Sequence, residues 1–464
     1  MPVLQTQTTT HNPQSNSTPS IATPIFKSKD QAGIRIADVE KLVDSIIAEV
    51  GNHIVLGLPL AIGKPIAFVN ALYLRAKSDP SITLQIETGI SLELPKAKTP
   101  LEQKFLGPFV DREFAGVPEL LYIKDLRSNS LPDNVTVFEF FFKAGSFLNS
   151  KQQLNYTSTN YTHAVRDLLD KGVNVVAQLM AERVCDGVTT YSLSSNSDLA
   201  LDMMAEVEAL RKEGRDLVCV AEINSNLPFM RNDAEVGEDL VDYVLTSQPQ
   251  DYPLFAVPEA PISNADHMIG FYASNLVKDG GTLQLGIGSL CSAMTHSLLM
   301  RHNNNVSFNQ VFDDLKVAEK FPVVKKVGQR NVFTRGLYGC SELMVDGFVH
   351  LYKAGILSRQ VFSDVTVQTL LNNDSISTHV DIHTLTCLLK HQVISVKLTS
   401  FDLTYLQKIG VFKPEVSLSQ GTLSCGEHHC TADLSQHDVL AWIADYALGE
   451  ELLGGTVMHG AFFI

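Results

Sequence analysis

Two stretches of this chain repeat one pattern: Ile54-Val-Leu-Gly-Leu-Pro-Leu-Ala-Ile-Gly63 and Thr282-Leu-Gln-Leu-Gly-Ile-Gly-Ser-Leu290. Each is an apolar run of β-forming residues that breaks into a glycine loop, and a segment with helical apolar spacing follows. One such unit says little, because any α/β fold uses glycine where the chain turns from sheet to helix. Two, at comparable places in the two halves, point to a duplicated α/β unit. Units of that kind place a ligand where strand C-termini meet helix N-termini, a setting suited to phosphate-bearing molecules.

The length, 464 residues with 45% hydrophobic and 19% charged, allows a large core and two or more domains. A formal net charge of −15 argues against nucleic acid as the main partner, since neutralising phosphates takes a basic surface. It leaves room for a phosphorylated small molecule, which needs only a local nest of amides and one or two lysines. The seven cysteines, at 185, 219, 291, 340, 387, 425 and 430, show no repeated CxxC spacing and read as reduced thiols in the cytoplasm. No apolar run is long enough to suggest a membrane span.

Residues 1–33 are polar and proline-punctuated and read as a disordered tail. Helical spacing then marks Val39–Val50, Lys64–Arg75, Tyr161–Lys171 and Asp198–Gly214, alternating with strand-like Ile82–Glu87, Val173–Met180 and Asp216–Ile223. This is the cadence of a doubly wound sheet, assigned to a first domain over 34–245. The proline-rich stretch Ser247–Pro261 is taken as the crossing into a second domain over 246–464. That domain opens with a helix over Asn264–Lys278, a strand over Gly281–Leu285 and a helix to about Met300. Residues 303–326 read as a polar surface insertion, and Leu453–Ile464 as an apolar strand.

Gly286-Ile287-Gly288 reads either as a tight turn or as a ligand loop, in which Lys64, Lys278 and open helix-start amides could hold a pyrophosphate. Glu342, in Tyr338-Gly-Cys-Ser-Glu-Leu-Met-Val-Asp-Gly347, is either a surface acid or a carboxylate tuned for chemistry. Asp346-Gly347 reads as a turn. Cys340 could be a nucleophile, yet no partnering His/Asn constellation stands out, so a small core residue is the preferred reading. Cys425-Gly-Glu-His-His-Cys430 offers four potential metal ligands without a second pair at finger-like distance, and no metal site is assigned. His296, His350 and His459 each have core or surface readings.

Three segments together resemble the acetyl-CoA hydrolase/CoA-transferase family. They are Ile269–Val277 running into Asp279-Gly-Gly-Thr-Leu-Gln-Leu-Gly-Ile-Gly288, Gly339-Cys-Ser-Glu-Leu-Met-Val-Asp-Gly-Phe-Val-His-Leu-Tyr-Lys-Ala-Gly355, and Ala221-Glu-Ile-Asn-Ser-Asn-Leu-Pro228. Gly454-Gly-Thr-Val-Met-His-Gly-Ala-Phe-Phe463 is similar to a stretch of that family's longer members. The resemblance implies an α/β fold of two related open-sheet, CoA-transferase-like (NagB/RpiA-like) domains, the second incomplete. It implies Glu342 as the nucleophile that attacks an acyl-CoA thioester and becomes a glutamyl-CoA thioester. CoA then passes to a small carboxylic acid, or water completes a hydrolysis.

The resemblance also implies that Gly286, Ile287, Gly288, Ser289 and Leu290 form the CoA-contacting loop. Coenzyme A is expected as substrate, with no bound cofactor or metal, and a homodimer is an admissible assembly. Gly-Cys-Ser stands before Glu342 where members carry a His- or Asn-like residue. The family's later glycine-rich segment has no counterpart before Ile464, so a truncated chain is expected, with a silent CoA-binding protein as the rival reading. A sugar-phosphate isomerase or deaminase on a related fold would leave Glu342 and its setting without a role.

Overall fold

The computed structural model describes residues 33–215, 217–246, 251–255 and 261–463. The expected tail lies outside them except for its last residue, as does much of the expected crossing at 247–261. Strands β1 (Ile34–Ile36), β2 (His53–Leu60), β3 (Thr83–Gly89), β4 (Val135–Phe141), β5 (Val175–Cys185), β6 (Val188–Ser192), β7 (Val218–Ile223), β8 (Glu235–Gly237) and β9 (Tyr243–Leu245) form one sheet. Seven run parallel in the order β1-β9-β7-β5-β2-β3-β4, and β6 and β8 continue antiparallel from β5.

The helices of this part are α1 (Val39–Val50), α2 (Ile66–Ser78), α3 (Pro100–Glu113), α4 (Leu121–Arg127), α5 (Ala164–Asp170) and α6 (Asp198–Lys212). The Asp38 carboxylate caps α1 by accepting from the Glu40 and Lys41 amides, and the helix buries Leu42, Val43 and Ile46. Helices α1, α2 and α4 cover Ile54, Leu56 and Leu58 on one face of the sheet, while α5 and α6 cover Val55 and Leu60 on the other. With both faces covered, β2 is buried from Ile54 to Leu60, which is why it reads as a continuous apolar run rather than an alternation.

A second part carries α7 (Asn264–Ser274), β10 (Thr282–Leu283), α8 (Ser289–Asn303), α9 (Asn305–Asp314), α10 (Val317–Lys320), α11 (Val323–Val327), β11 (Tyr338–Met344) and α12 (Asp346–Lys353). A separate unit follows: α13 (Val365–Asn372), α14 (Ile382–Lys390), α15 (Ser400–Lys408), β12 (Ser417–Ser419), β13 (Thr422–Cys425), β14 (His428–Thr431) and α16 (His437–Trp442). It buries its own core of Leu385, Leu388, Leu406, Val411 and Ile443. Val361 and Thr456 exchange backbone hydrogen bonds of 2.8 and 3.0 Å and close its base. The chain then returns as β15 (Met458–Phe463) to complete a parallel sheet ordered β10-β11-β15.

Several expectations need correction here. Residues 303–326 are no polar insertion: Phe308 and Phe312 of α9 are buried against Phe271 of α7, with Val317 and Val324 beside them. Polar residues dominate the stretch because these short helices keep only one face inward. The inserted unit is the later one, between Val361 and Thr456. Asp346-Gly347 opens α12 instead of forming a turn, and a Cβ on Gly347 would lie 2.6 Å from Thr295 Oγ1 of α8, so glycine here serves helix packing. Leu453–Ile464 does supply a strand, paired with β11 along one side. No helix among the described residues is long and apolar enough to cross a membrane.

Candidate active site

The two glycine loops have different fates. The first is a buried helical turn, Ala61–Gly63, and a Cβ on Gly63 would lie 2.2 Å from Asn196 Oδ1. Asn196 Nδ2 donates to Leu60 O at 3.0 Å, and Gln178 Nε2 donates to Leu193 O and Asn196 O at 3.0 and 2.8 Å. The segment after β6 therefore plugs the crevice at the C-terminal ends of β2 and β5, where a doubly wound sheet commonly receives its ligand.

Lys64 is consumed in the same plug. Its buried ammonium donates to the carbonyls of Ala61, Gly89 and Ile90 at 3.2, 2.7 and 2.9 Å, so it is not a phosphate ligand. Glu222, from the third matching segment, is buried too. It accepts from the amides of Ala67 and Phe68 at the start of α2 and from Tyr252 Oη, and burial pushes its carboxyl up to about 7. That motif residue fastens a helix N-terminus to the sheet.

The second loop is open. Gly286, Ile287, Gly288 and Leu290 are exposed, Ser289 half-buried, and ideal Cβ atoms on Gly286 and Gly288 would meet nothing within 4 Å. Gly288 has φ +117°, a backbone state that L residues rarely adopt, and it caps α8 without any side-chain hydrogen bond. Its helix start therefore presents uncapped amides. Lys278 lies elsewhere, before β10, while the loop follows β10. The two proposed lysines thus do not gather at this loop.

Glu342 lies within β11 rather than in a loop, and it is exposed. The parallel register Leu283↔Gly339, with Ser341 Oγ donating to Leu285 O at 2.8 Å, carries Gly286 alongside Glu342. Strand alternation turns Tyr338, Cys340 and Glu342 to one face, away from the packing of Gly339 on Phe348. That face looks toward the first part of the chain. Between the two lies a cavity of about 750 Å³, lined by Asp198 and Asp202 of α6, Asn232, Tyr338, Met344 and His459 among others. Neither the loop residues nor Cys340 and Glu342 are among those lining it; Tyr338, Met344 and His459 supply this side of its wall.

Asp198 stands at the first turn of α6, where burial raises its carboxyl to about 7 against the pull of the Leu199 amide and its own, with the charges of Glu342 and Asp202 adding to the rise. A carboxyl of that kind, near enough to feel the Glu342 charge, can exist neutral near neutrality and move a proton. Sequence reasoning missed Asp198, whose position as an ordinary helix-start acid gave no signal.

His459 was also unassigned. The register Cys340↔His459 between β11 and β15 sets its Nε2 3.1 Å from Cys340 Sγ, and its Nδ1 lies 2.5 Å from Tyr338 Oη. Cys340 is half-buried, on the same strand face as Tyr338 and Glu342, so it is not a fully enclosed core residue. The cysteine–histidine segment 425–430 is a β-hairpin. There His428 stacks on Tyr446 at 3.9 Å and His429 Nδ1 sits 2.8 Å from Ser424 Oγ.

No protein family's sequence profile matches the chain. It is similar to a 4-hydroxybutyrate coenzyme A transferase of Clostridium kluyveri, 27% identical over 105 residues, 23% of this chain and 24% of that one. A succinyl-CoA:cyclohexane-1-carboxylate CoA transferase of Geobacter metallireducens is 30% identical over 143 residues, 30% of each chain. Among solved structures, RipA from Yersinia pestis overlaps with a TM-score of 0.45 at 19% identity, covering 70% of this chain and 59% of that one. The curated relatives are CoA-transferases, and the chain spans 24% and 30% of the length of these two.

Proposed function

We propose, from this kinship with CoA-transferases, that the chain moves coenzyme A from a small acyl-CoA to a carboxylic acid through a thioester on Glu342. The observation that carries the reading is the parallel register that sets Glu342 beside the start of the Gly286–Leu290 loop, with Asp198 near enough to feel its charge. A carboxylate is a weak nucleophile, but a thioester is an activated electrophile with a good leaving group. Attack by Glu342 Oε on the acyl carbon would release the CoA thiolate and leave a mixed anhydride. Return of the thiolate to the Glu342 carbonyl would give glutamyl-CoA and the free acid, and an acceptor carboxylate would reverse both steps. Every intermediate stays an activated acyl species, so no step faces a deep energy well.

In this reading the amides of the open loop and the start of α8 approach the CoA moiety or the acyl oxyanion. Asp198, neutral below about pH 7, would donate to a carboxylate formed in the cleft. Because Glu342 is exposed, water also has access to the thioester, which keeps acyl-CoA hydrolysis by the same intermediate as a second outcome. We place the protein in the cytoplasm, since its seven cysteines form no disulfide with one another.

Incubation with acetyl-CoA followed by intact-mass measurement tests the assignment. A CoA-sized gain, converted by borohydride to a stable alcohol, is expected in the wild-type chain and not in Glu342→Ala. Glu342→Asp withdraws the carboxylate by about 1.5 Å and should lose most of the rate. An adduct that persists in Glu342→Ala would sink the reading.

A further inference from the structure

We propose that Cys340 is a second nucleophile of the cleft, accepting an acyl group from a thioester with His459 as its base and Tyr338 as the residue that positions the imidazole. The proposal rests on the reading that acyl-CoA enters this cleft. Its geometry is independent of Glu342. Two neighbouring parallel strands put Cys340 and His459 in register, and the ring joins the thiol and the phenol at 3.1 and 2.5 Å. Nucleophile, base and a third group that orients the base, in one hydrogen-bonded line, form the arrangement that activates Ser and Cys nucleophiles.

The ring's environment fits the charged state it would reach. As an imidazolium, His459 has two donors, one aimed at the sulfur and one at the phenol oxygen, so both are satisfied. Tyr338 itself is fixed: it is 6% exposed, and the Arg359 guanidinium lies 5.6 Å from its ring centre. His459 is exposed and lines the cavity.

A second cysteine–histidine pair in the chain shows what is missing elsewhere. Cys387 Sγ is 3.4 Å from His383 Nε2, but that nitrogen also lies 3.1 Å from Ser375 O. A carbonyl can only accept, so Nε2 of His383 carries the proton and has no lone pair for the Cys387 thiol. At Cys340 no carbonyl competes for the ring nitrogen among the described hydrogen bonds.

The step balances without a co-reactant. Cys340 Sγ bonds to the acyl carbonyl carbon while its proton passes to His459 Nε2. The bond from that carbon to the CoA sulfur breaks, and the proton moves from Nε2 to the departing sulfur. One thioester is consumed and one formed, leaving acyl-Cys340 two residues along the strand from Glu342, with free CoA.

The test uses the full chain, acetyl-CoA and peptide mapping, in wild type and in Glu342→Gln, where the glutamyl route is closed. An acetyl-sized gain on the Cys340 peptide, removed by neutral hydroxylamine, is expected in both and absent from Cys340→Ser. In His459→Gln its rate of appearance should fall at least tenfold. Iodoacetamide supplies a readout without thioester: at pH 7 Cys340 should alkylate about tenfold faster than exposed Cys185, an advantage lost in His459→Gln. A CoA-sized gain in wild type with no acetyl on Cys340 in either protein overturns this proposal and leaves the Glu342 reading standing. Acetyl on Cys340 without any CoA-sized gain does the reverse. Equal alkylation of Cys340 and Cys185, or an unchanged acetylation rate in His459→Gln, also overturns it.

Discussion

Alanine at Gly286 and at Gly288, taken as a pair, separates a ligand loop from a mere turn. Both positions are sterically open, with nothing within 4 Å of an added Cβ. Their backbones differ: Gly288 sits at φ +117° and Gly286 outside the positive-φ range. Alanine at 288 must therefore adopt a strained state costing about 1–3 kcal/mol, whether or not the loop binds anything. Alanine at 286 meets no strain and should stabilise the fold by about 0.4–1 kcal/mol, because it narrows the unfolded ensemble.

The expectation for CoA runs the other way. If the backbone at 286 lies against the ligand, a new methyl there overpacks the contact by about 1–3 kcal/mol. That corresponds to a loss of affinity of about fivefold to 150-fold. Urea denaturation and titration calorimetry with CoA read the two quantities separately. Gly286→Ala should hold or raise its midpoint and bind CoA at least about fivefold more weakly, whereas Gly288→Ala should lose stability. Wild-type affinity in a folded Gly286→Ala protein would show that this loop does not approach CoA, and undiminished stability of Gly288→Ala would refute the strain argument.

Asp198→Asn tests the buried carboxyl. Its folded pKa, about 7, is raised above the unfolded value, so its favourable contribution is present at low pH and is lost as pH rises through 7. The variant should be more stable than wild type by about 1–3 kcal/mol at pH 8 and indistinguishable near pH 4 in urea titrations; a constant difference across that range would dismiss the raised carboxyl. Arg301, fully buried, donates to the carbonyls of Asn331, Ser274 and Val277 and stacks on Phe333 at 4.3 Å. Arg301→Ala should cost about 3–5 kcal/mol, because three carbonyls lose their donor at once; an unshifted denaturation midpoint would contradict this.

Local chemistry made much of the chain legible. Val39–Val50 is a helix end to end, as its spacing says, because Asp38 caps it and one face is apolar. Strands β2, β3, β5 and β7 of the first part were readable because burial leaves apolar runs, with helices of ordinary period between them, whereas β1, β4, β6, β8 and β9 were not marked. Glu342 and the Gly286–Leu290 loop stood out by their motif setting, and a parallel register then brought them side by side.

Tertiary structure alone decided the rest. The first glycine loop looked equivalent to the second, yet Asn196, distant in sequence, fills the space a ligand would need. Lys64 looked like a phosphate ligand until three carbonyls claimed its ammonium. Most of all, His459 lies 119 residues from Cys340 in sequence, and the whole unit between Val361 and Thr456 intervenes before β15 returns to β11. A parallel pair needs a crossover, and no local propensity records which strand the chain comes back to. The amino-acid sequence by itself marked several helices and strands of the first part and singled out Glu342 as the carboxylate to test. The partners of Cys340 and Glu342 in the cleft were set by strand order, which only long-range packing can fix.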